Sequence, residues 1–250
     1  MTRETHFLWL LLFAIMVASF AIGQDEANTA SDSSGAIDLD PDLTVTNSTS
    51  LRNKELLKGE SAIVDGLPRA NVQEGDSPDD KIAKLFGRAQ FQSSIGNDEG
   101  ALEICDKMLE IDPANRAALF KKSNVLIQLQ RHKEALEILR QLSEDYPDDF
   151  SLKNNIAWIL ATASNLDMRD GKKALSLARD ALLLAPNNHQ VWNTLSEAYF
   201  ISAEYDKALD AAKISFKIAR ANGEPNKRLQ DLAEQVRKCK QAAITMSIMD

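Results

Sequence analysis

Residues 133–139 read KEALEIL, and the same phrase returns as EGALEIC at 99–105, KKALSLA at 172–178 and DKALDAA at 206–212. The alanine third in each phrase is Ala101, Ala135, Ala174 or Ala208, and the intervals between them are 34, 39 and 34 residues. Pro113, Pro147 and Pro186 each follow their alanine by twelve residues. A 34-residue period with alanine and proline at fixed phase predicts an all-α solenoid of about four helix–turn–helix units. One such unit cannot bury its apolar face alone, so the units stack and each touches only its neighbours. A solenoid of this kind serves as a surface for holding another protein, and nothing in the period names the partner.

The turns follow from named chemistry. A proline lacks the amide hydrogen and clashes with the preceding turn, so Pro113, Pro147 and Pro186 each close a second helix. Two residues later come Asn115, Asp149 and Asn188, whose side-chain oxygens suit an N-cap. Within units, 96–98 (GND) and 203–206 (AEYD) mark the tight turns. The predicted pairs are 83–95 with 99–111, 116–129 with 133–145, 150–163 with 172–184, and 189–202 with 206–221. The third unit carries five extra residues, which fall in 164–171 (SNLDMRDG). Insertions of this sort go to loops on one face, sometimes a working face. The blander reading is that Arg169, Asp170 and Gly171 build a longer turn and cap the next helix. After Ala221, Asn222 and Gly223 stop the helix and Pro225 starts another. Residues 226–244 then form a terminal helix, with Leu229, Leu232, Val236 and Ala243 to one side and Lys227, Arg228, Arg237, Lys238 and Lys240 outside. A polar outer face is what a terminal cap requires; a basic one also suits an acidic partner or anionic lipid.

Charge divides the chain. Its net −8 comes from 24–80, with 13 Asp/Glu against 4 Lys/Arg, while 81–250 holds 23 against 24. A nearly neutral repeat region argues against nucleic acid, which needs a basic patch to displace counterions. Residues 24–80 lack sustained periodicity and are rich in Asp, Ser, Asn, Thr and Gly, so they read as a disordered acidic linker. Residues 7–22 (FLWLLLFAIMVASFAI) are mostly apolar. As a helix they would span ~24 Å, short of a ~30 Å hydrocarbon core. Ala21 and Gly23 place small residues where signal peptidase reads them, which predicts export and a mature chain starting at Gln24. The other reading is a retained anchor, the one case in which membrane contact follows. The expected divisions are 1–23 (signal or anchor), 24–80 (linker), 81–221 (repeats) and 222–250 (capping helix and tail).

No motif for catalysis stands out. HExxH, CxxC and a nucleophile elbow do not occur, and Gly171-Lys172 lacks the rest of a phosphate loop. His132 falls in a turn and His189 at a helix start. Cys105 lies on a packed second helix and reads as a small core residue. Cys239, between Lys238 and Lys240, reads as an exposed thiol too distant for a disulfide. No metal or cofactor is expected, and the chain is read as a non-enzyme.

Over 81–221 the chain resembles the tetratricopeptide repeat family. The fourth unit supplies Trp192, Leu195, Ser196, Tyr199, Ala208 and Ala212 to that family's pattern; the second supplies Leu119, Ser123, Leu126, Ala135, Leu139, Leu142 and Pro147. The first gives Leu85, Ala89, Ala101, Cys105, Met108 and Pro113, and the third Ala157, Leu160, Ala174, Ala178, Ala181 and Pro186. The stretch 155–162 with Arg169, Asp170 and Gly171 looks like a variant recurrent in exported bacterial repeat proteins. The resemblance implies that the first helix of each pair lines a concave groove for a peptide or protein partner. Carried over by phase, the groove positions are Phe86 and Gln90, then Phe120, Lys121 and Asn124. The third unit gives Asn154, Asn155 and Trp158, and the fourth Asn193 and Glu197. Asparagine offers a donor and an acceptor to a peptide backbone, and aromatics offer flat apolar area. Core packing for Trp158, and a solvated wall for the asparagines, are the competing readings. The basic clamp with which some members hold a C-terminal carboxylate is not matched, since Lys121 stands alone. The expectation is an exported, non-enzymatic adaptor; the alternatives are a membrane-anchored envelope assembly factor and an enzyme that uses the repeats as its scaffold.

Overall fold

The computed structural model describes residues 72–73 and 75–249. The expected signal or anchor and all of the linker through residue 71 lie outside the described residues. Helices occupy Pro78–Ser94 (α1), Asp98–Ile111 (α2), Arg116–Gln128 (α3), His132–Asp145 (α4) and Phe150–Thr162 (α5). They continue as Gly171–Leu184 (α6), His189–Ile201 (α7), Tyr205–Ala221 (α8) and Asn226–Met249 (α9), with a short 3₁₀ helix, Leu166–Met168, between α5 and α6. Each helix packs on the next, and α7 also lies against α5, the first helix of the preceding pair. No strand occurs among the described residues.

The close approach within each pair explains the alanines. Ala101, Ala135, Ala174 and Ala208 are fully buried, and so are the small first-helix residues Ala89, Ser123, Ala157 and Ser196. A larger side chain at either place would force the helices apart. In the fourth pair the Ser196 hydroxyl on α7 donates directly to the Ala208 carbonyl on α8, 2.9 Å away. Met108, Leu126, Leu139, Leu152 and Ile159 fill the core beside these small residues.

The caps form as the sequence predicts. Asn115 accepts from the Ala118 amide, Asp149 from Ser151, and Asn188 from Gln190. The tight turns within pairs one, two and four each contain a left-handed residue: Gly96 (φ 79°), Gln130 (φ 59°) and Ala203 (φ 58°). The third pair replaces that turn with its insertion, which is tied down at both ends. The Arg169 Nε donates to the Ala163 carbonyl (2.8 Å), and the Asp170 amide donates to Leu160 (3.0 Å). Asp170 then caps α6 through the Lys173 amide (2.9 Å). Gly171 lets the first turn of α6 approach the end of α7, since a Cβ there would lie 2.8 Å from Ser202 Oγ.

Three expectations need correction. The first helix begins at Pro78, not at 83, because Ser77 caps it and Pro78, Asp79 and Asp80 form a favourable first turn. The last helix runs on to Met249 instead of ending at 244. Cys239 is fully buried, not exposed, because α9 turns it toward Ser196 on α7 (3.5 Å).

Candidate partner-binding face

The first helix of each pair contributes to one wall: α1, α3, α5 and α7. Phe86 and Phe120 sit at the same repeat phase, half-buried, with part of each ring packed on the core. Gln90 is exposed beside them. Lys121 is half-buried, and its ammonium reaches across from α3 to α1 to donate to Ser93 Oγ (3.0 Å). Burial lowers its pKa, partly opposed by the nearby Cys105 and Asp98.

The centre of the wall is a row of amides. Asn155 on α5 donates to Asn124 Oδ1 on α3 (2.6 Å) and accepts from Asn154 Nδ2 (3.3 Å). Asn193 on α7 has the same repeat phase as Asn154. The Oδ1 atoms of Asn154 and Asn193 are both buried, with no donor among the described residues. A buried acceptor left unpaired costs about 1–3 kcal/mol, so two at one phase are a notable expense. Trp158 is half-buried one turn beyond Asn154. The structure thus links Asn124, Asn154 and Asn155 directly, while Phe86 and Phe120 share the repeat phase of Asn154.

Glu197 is differently placed. Lys238 of α9 donates to both its carboxylate oxygens (3.1 and 2.9 Å) and lies 4.2 Å above the Phe200 ring. The terminal helix therefore neutralises the acid at that end of the wall. Ser93, Lys238 and Phe200 were missed by the phase argument. Lys238 and Ser93 are found only when neighbouring helices are docked, and no sequence spacing announces either contact. Behind this end, Gln235 donates to Ser196 Oγ (3.2 Å) in a buried polar cluster with Cys239.

The two histidines are buried in first turns. His132 opens α4 and His189 opens α7. The His189 Nδ1 stands 3.8 Å from Glu224, and its Nε2 has no partner among the described residues. No group of three metal-binding side chains occurs among the described residues, and no described helix is long and apolar enough to cross a membrane.

Residues 96–159 match the tetratricopeptide repeat family. Within that stretch the helix pairs are tetratricopeptide repeats. The tetratricopeptide fold is typically a scaffold for protein–protein interaction, and it also occurs within enzymes. This repeat protein is 33% identical over 105 residues to zinc finger CCCH domain-containing protein 7B of Homo sapiens, covering 40% of this chain and 11% of that one. The chain thus spans a small part of that relative's length. Among solved structures it is similar to a thermophilic repeat protein of Thermus thermophilus, with 18% identity and a TM-score of 0.49 over 65% of this chain and 91% of that one. A MamA fragment from Desulfovibrio magneticus gives 18%, 0.48, 69% and 93% in the same terms. An O-GlcNAc transferase of Thermobaculum terrenum gives 20% and 0.49, over 58% of this chain and 27% of that one.

Proposed function

We propose that this protein is a non-enzymatic adaptor that holds an extended segment of another protein against the α1–α3–α5–α7 wall. The observation that carries this reading is the amide row. Asn124, Asn155 and Asn154 are already hydrogen-bonded to one another, and the acceptors of Asn154 and Asn193 lack donors. Backbone N–H groups of an extended chain are donors of the right kind and carry no sequence information. Phe86, Phe120 and Trp158 add apolar surface beside the row, which favours a segment with large side chains. A ligand on this wall must reach the amides by small side-chain rotations, since both orphan oxygens are buried.

The adaptor is further proposed to work outside the cytoplasm, on the strength of the apolar run 7–22 and the small residues Ala21 and Gly23. The envelope-anchored alternative draws on the same run. N-terminal sequencing of the native protein separates them: a start at Gln24 supports release, and a retained Met1 with sedimentation in membranes supports the anchor. For the wall itself, a photo-reactive side chain in place of Gln90 should cross-link the partner, and one in place of the exposed Lys217 on α8 should not. Equal capture from both positions would overturn the assignment of the face. A companion variant, Trp158→Ala with Asn124→Ala, should weaken capture by tenfold or more while the melting temperature shifts little. A stability loss of about 3–5 kcal/mol with capture unchanged would place Trp158 in the core.

A further inference from the structure

The second helix of the second pair, α4, carries Lys133, Glu137, Arg140 and Glu144 along one exposed stripe. Their spacing is 4, 3 and 4 residues and their signs alternate. Residues at i, i+4 on a helix commonly pair, yet neither Lys133–Glu137 nor Arg140–Glu144 closes, whereas Arg131–Glu134 does, at 2.7 Å. None of the four has an ion-pair or hydrogen-bond partner among the described residues. Beside the stripe runs a trough of about 1090 Å³, floored by the buried Leu136 and Leu160. Its far wall is the inserted loop, with Asp167 and Asp170, and the first turn of α6, with Lys173. A repeat of ordinary length would lack this wall.

The stripe is its own complement. Read in the reverse direction, positive–negative–positive–negative becomes negative–positive–negative–positive, and the 4-3-4 spacing is unchanged. A two-fold axis through the midpoint between Glu137 and Arg140 therefore sets Lys133 against Glu144 of the partner subunit and Glu137 against Arg140 of the partner subunit. Leu136 falls opposite Gln141 of the partner subunit. An interface between two copies related by such an axis requires self-complementarity of this kind, and a different partner would not. We infer that α4 is a homodimer interface, formed by antiparallel pairing with α4 of a second copy, the second helix lying along the trough. Because the contacts are mostly exposed charges, the dimer is weak and salt-sensitive. It leaves the amide wall free, so two copies present two walls to a multivalent partner.

The test uses the full chain at about 100 μM in low salt, where exposed charges are least screened. A zero-length carbodiimide should join Lys133 to Glu144. These residues are 11 apart in one helix, or about 16 Å at 1.5 Å per residue, so that bond forms only between copies. Sedimentation velocity should show a dimer that dissociates in about 1 M salt. K133E/E137K keeps the charges of the helix but sets like against like, and should weaken the dimer by about tenfold or more. K133E/E144K restores every pair and should restore both the dimer and the 133–144 link. A chain that stays monomeric, a dimer indifferent to K133E/E137K, or a K133E/E144K variant that fails to recover would each overturn the inference.

Discussion

Burial holds the imidazoles of His132 and His189 below the ordinary value of 6.5. At His189, Glu224 pulls the pKa back up and Arg228 pushes it further down. A depressed folded pKa means that the unfolded chain binds more protons between that value and 6.5. Stability is therefore full above 6.5 and falls as the pH drops through it. Denaturant titrations at pH 7 and pH 5 should show this loss, and His132→Gln with His189→Gln should flatten it; an equal slope in both proteins would mean other groups are responsible. The thiols make a second residue-scale prediction. Burial raises Cys105 to about 11 and raises Cys239 as well. Neither should react with a disulfide reagent at pH 8 in the folded protein, and both should react once it is unfolded. Rapid native labelling of Cys239 would mean that α9 detaches from α7. The burial of Cys105 was legible from its place in the repeat. That of Cys239 was not, because Lys238 and Lys240 flank it and only the docking of α9 turns it inward.

Among the elements, the turns and the insertion matter most. Gln130 and Ala203 hold left-handed conformations that cost an L-residue about 1–2 kcal/mol. Ala203→Gly should therefore raise stability by about 0.5 kcal/mol, after its own entropy loss. Ala212→Gly in mid-helix should lower it by about 1 kcal/mol or more. If calorimetry found both changes destabilising to the same degree, the Ala203 turn would not be strained. Asp170→Ala removes the cap of α6 and should cost about 1 kcal/mol in melting experiments. The insertion's length and place could be read from the 39-residue interval. Its form could not, since the 3₁₀ turn is followed by Arg169 and Asp170, which bond to the Ala163 and Leu160 carbonyls at the end of α5.

At the scale of the molecule, stability in a solenoid is close to a sum of repeats and the interfaces between neighbours. The α9 helix closes the series by burying Leu229, Leu232, Ala233 and Val236 with the second helix of the fourth pair. Ending the chain at Glu224 would expose Phe216 and Ala219 on α8 and remove the Ser196–Gln235 bond. Such a truncation should lower the unfolding midpoint and broaden the transition, with α7 and α8 lost first. An unchanged midpoint would show that α9 contributes nothing to the fold.

What the sequence determined alone is what lies within one repeat's reach. Proline ends, asparagine and aspartate caps, and alanine at each close approach act over a few residues or one helix pair. They recur at a fixed period, so four pairs and their core were readable from Ala101, Ala135, Ala174 and Ala208. The Ser77–Pro78 start was written there too, as local capping chemistry. The tertiary structure decided what depends on how one element lies across another. Lys238 meets Glu197, Cys239 turns inward, Asn155 bonds to Asn124, and the inserted loop walls a trough beside α4. Repeat phase gives the direction of a side chain around its own helix. The angle and distance to the next helix come from the packing of whole faces, and α9 stands outside the period altogether, so its contacts existed only once the solenoid was assembled.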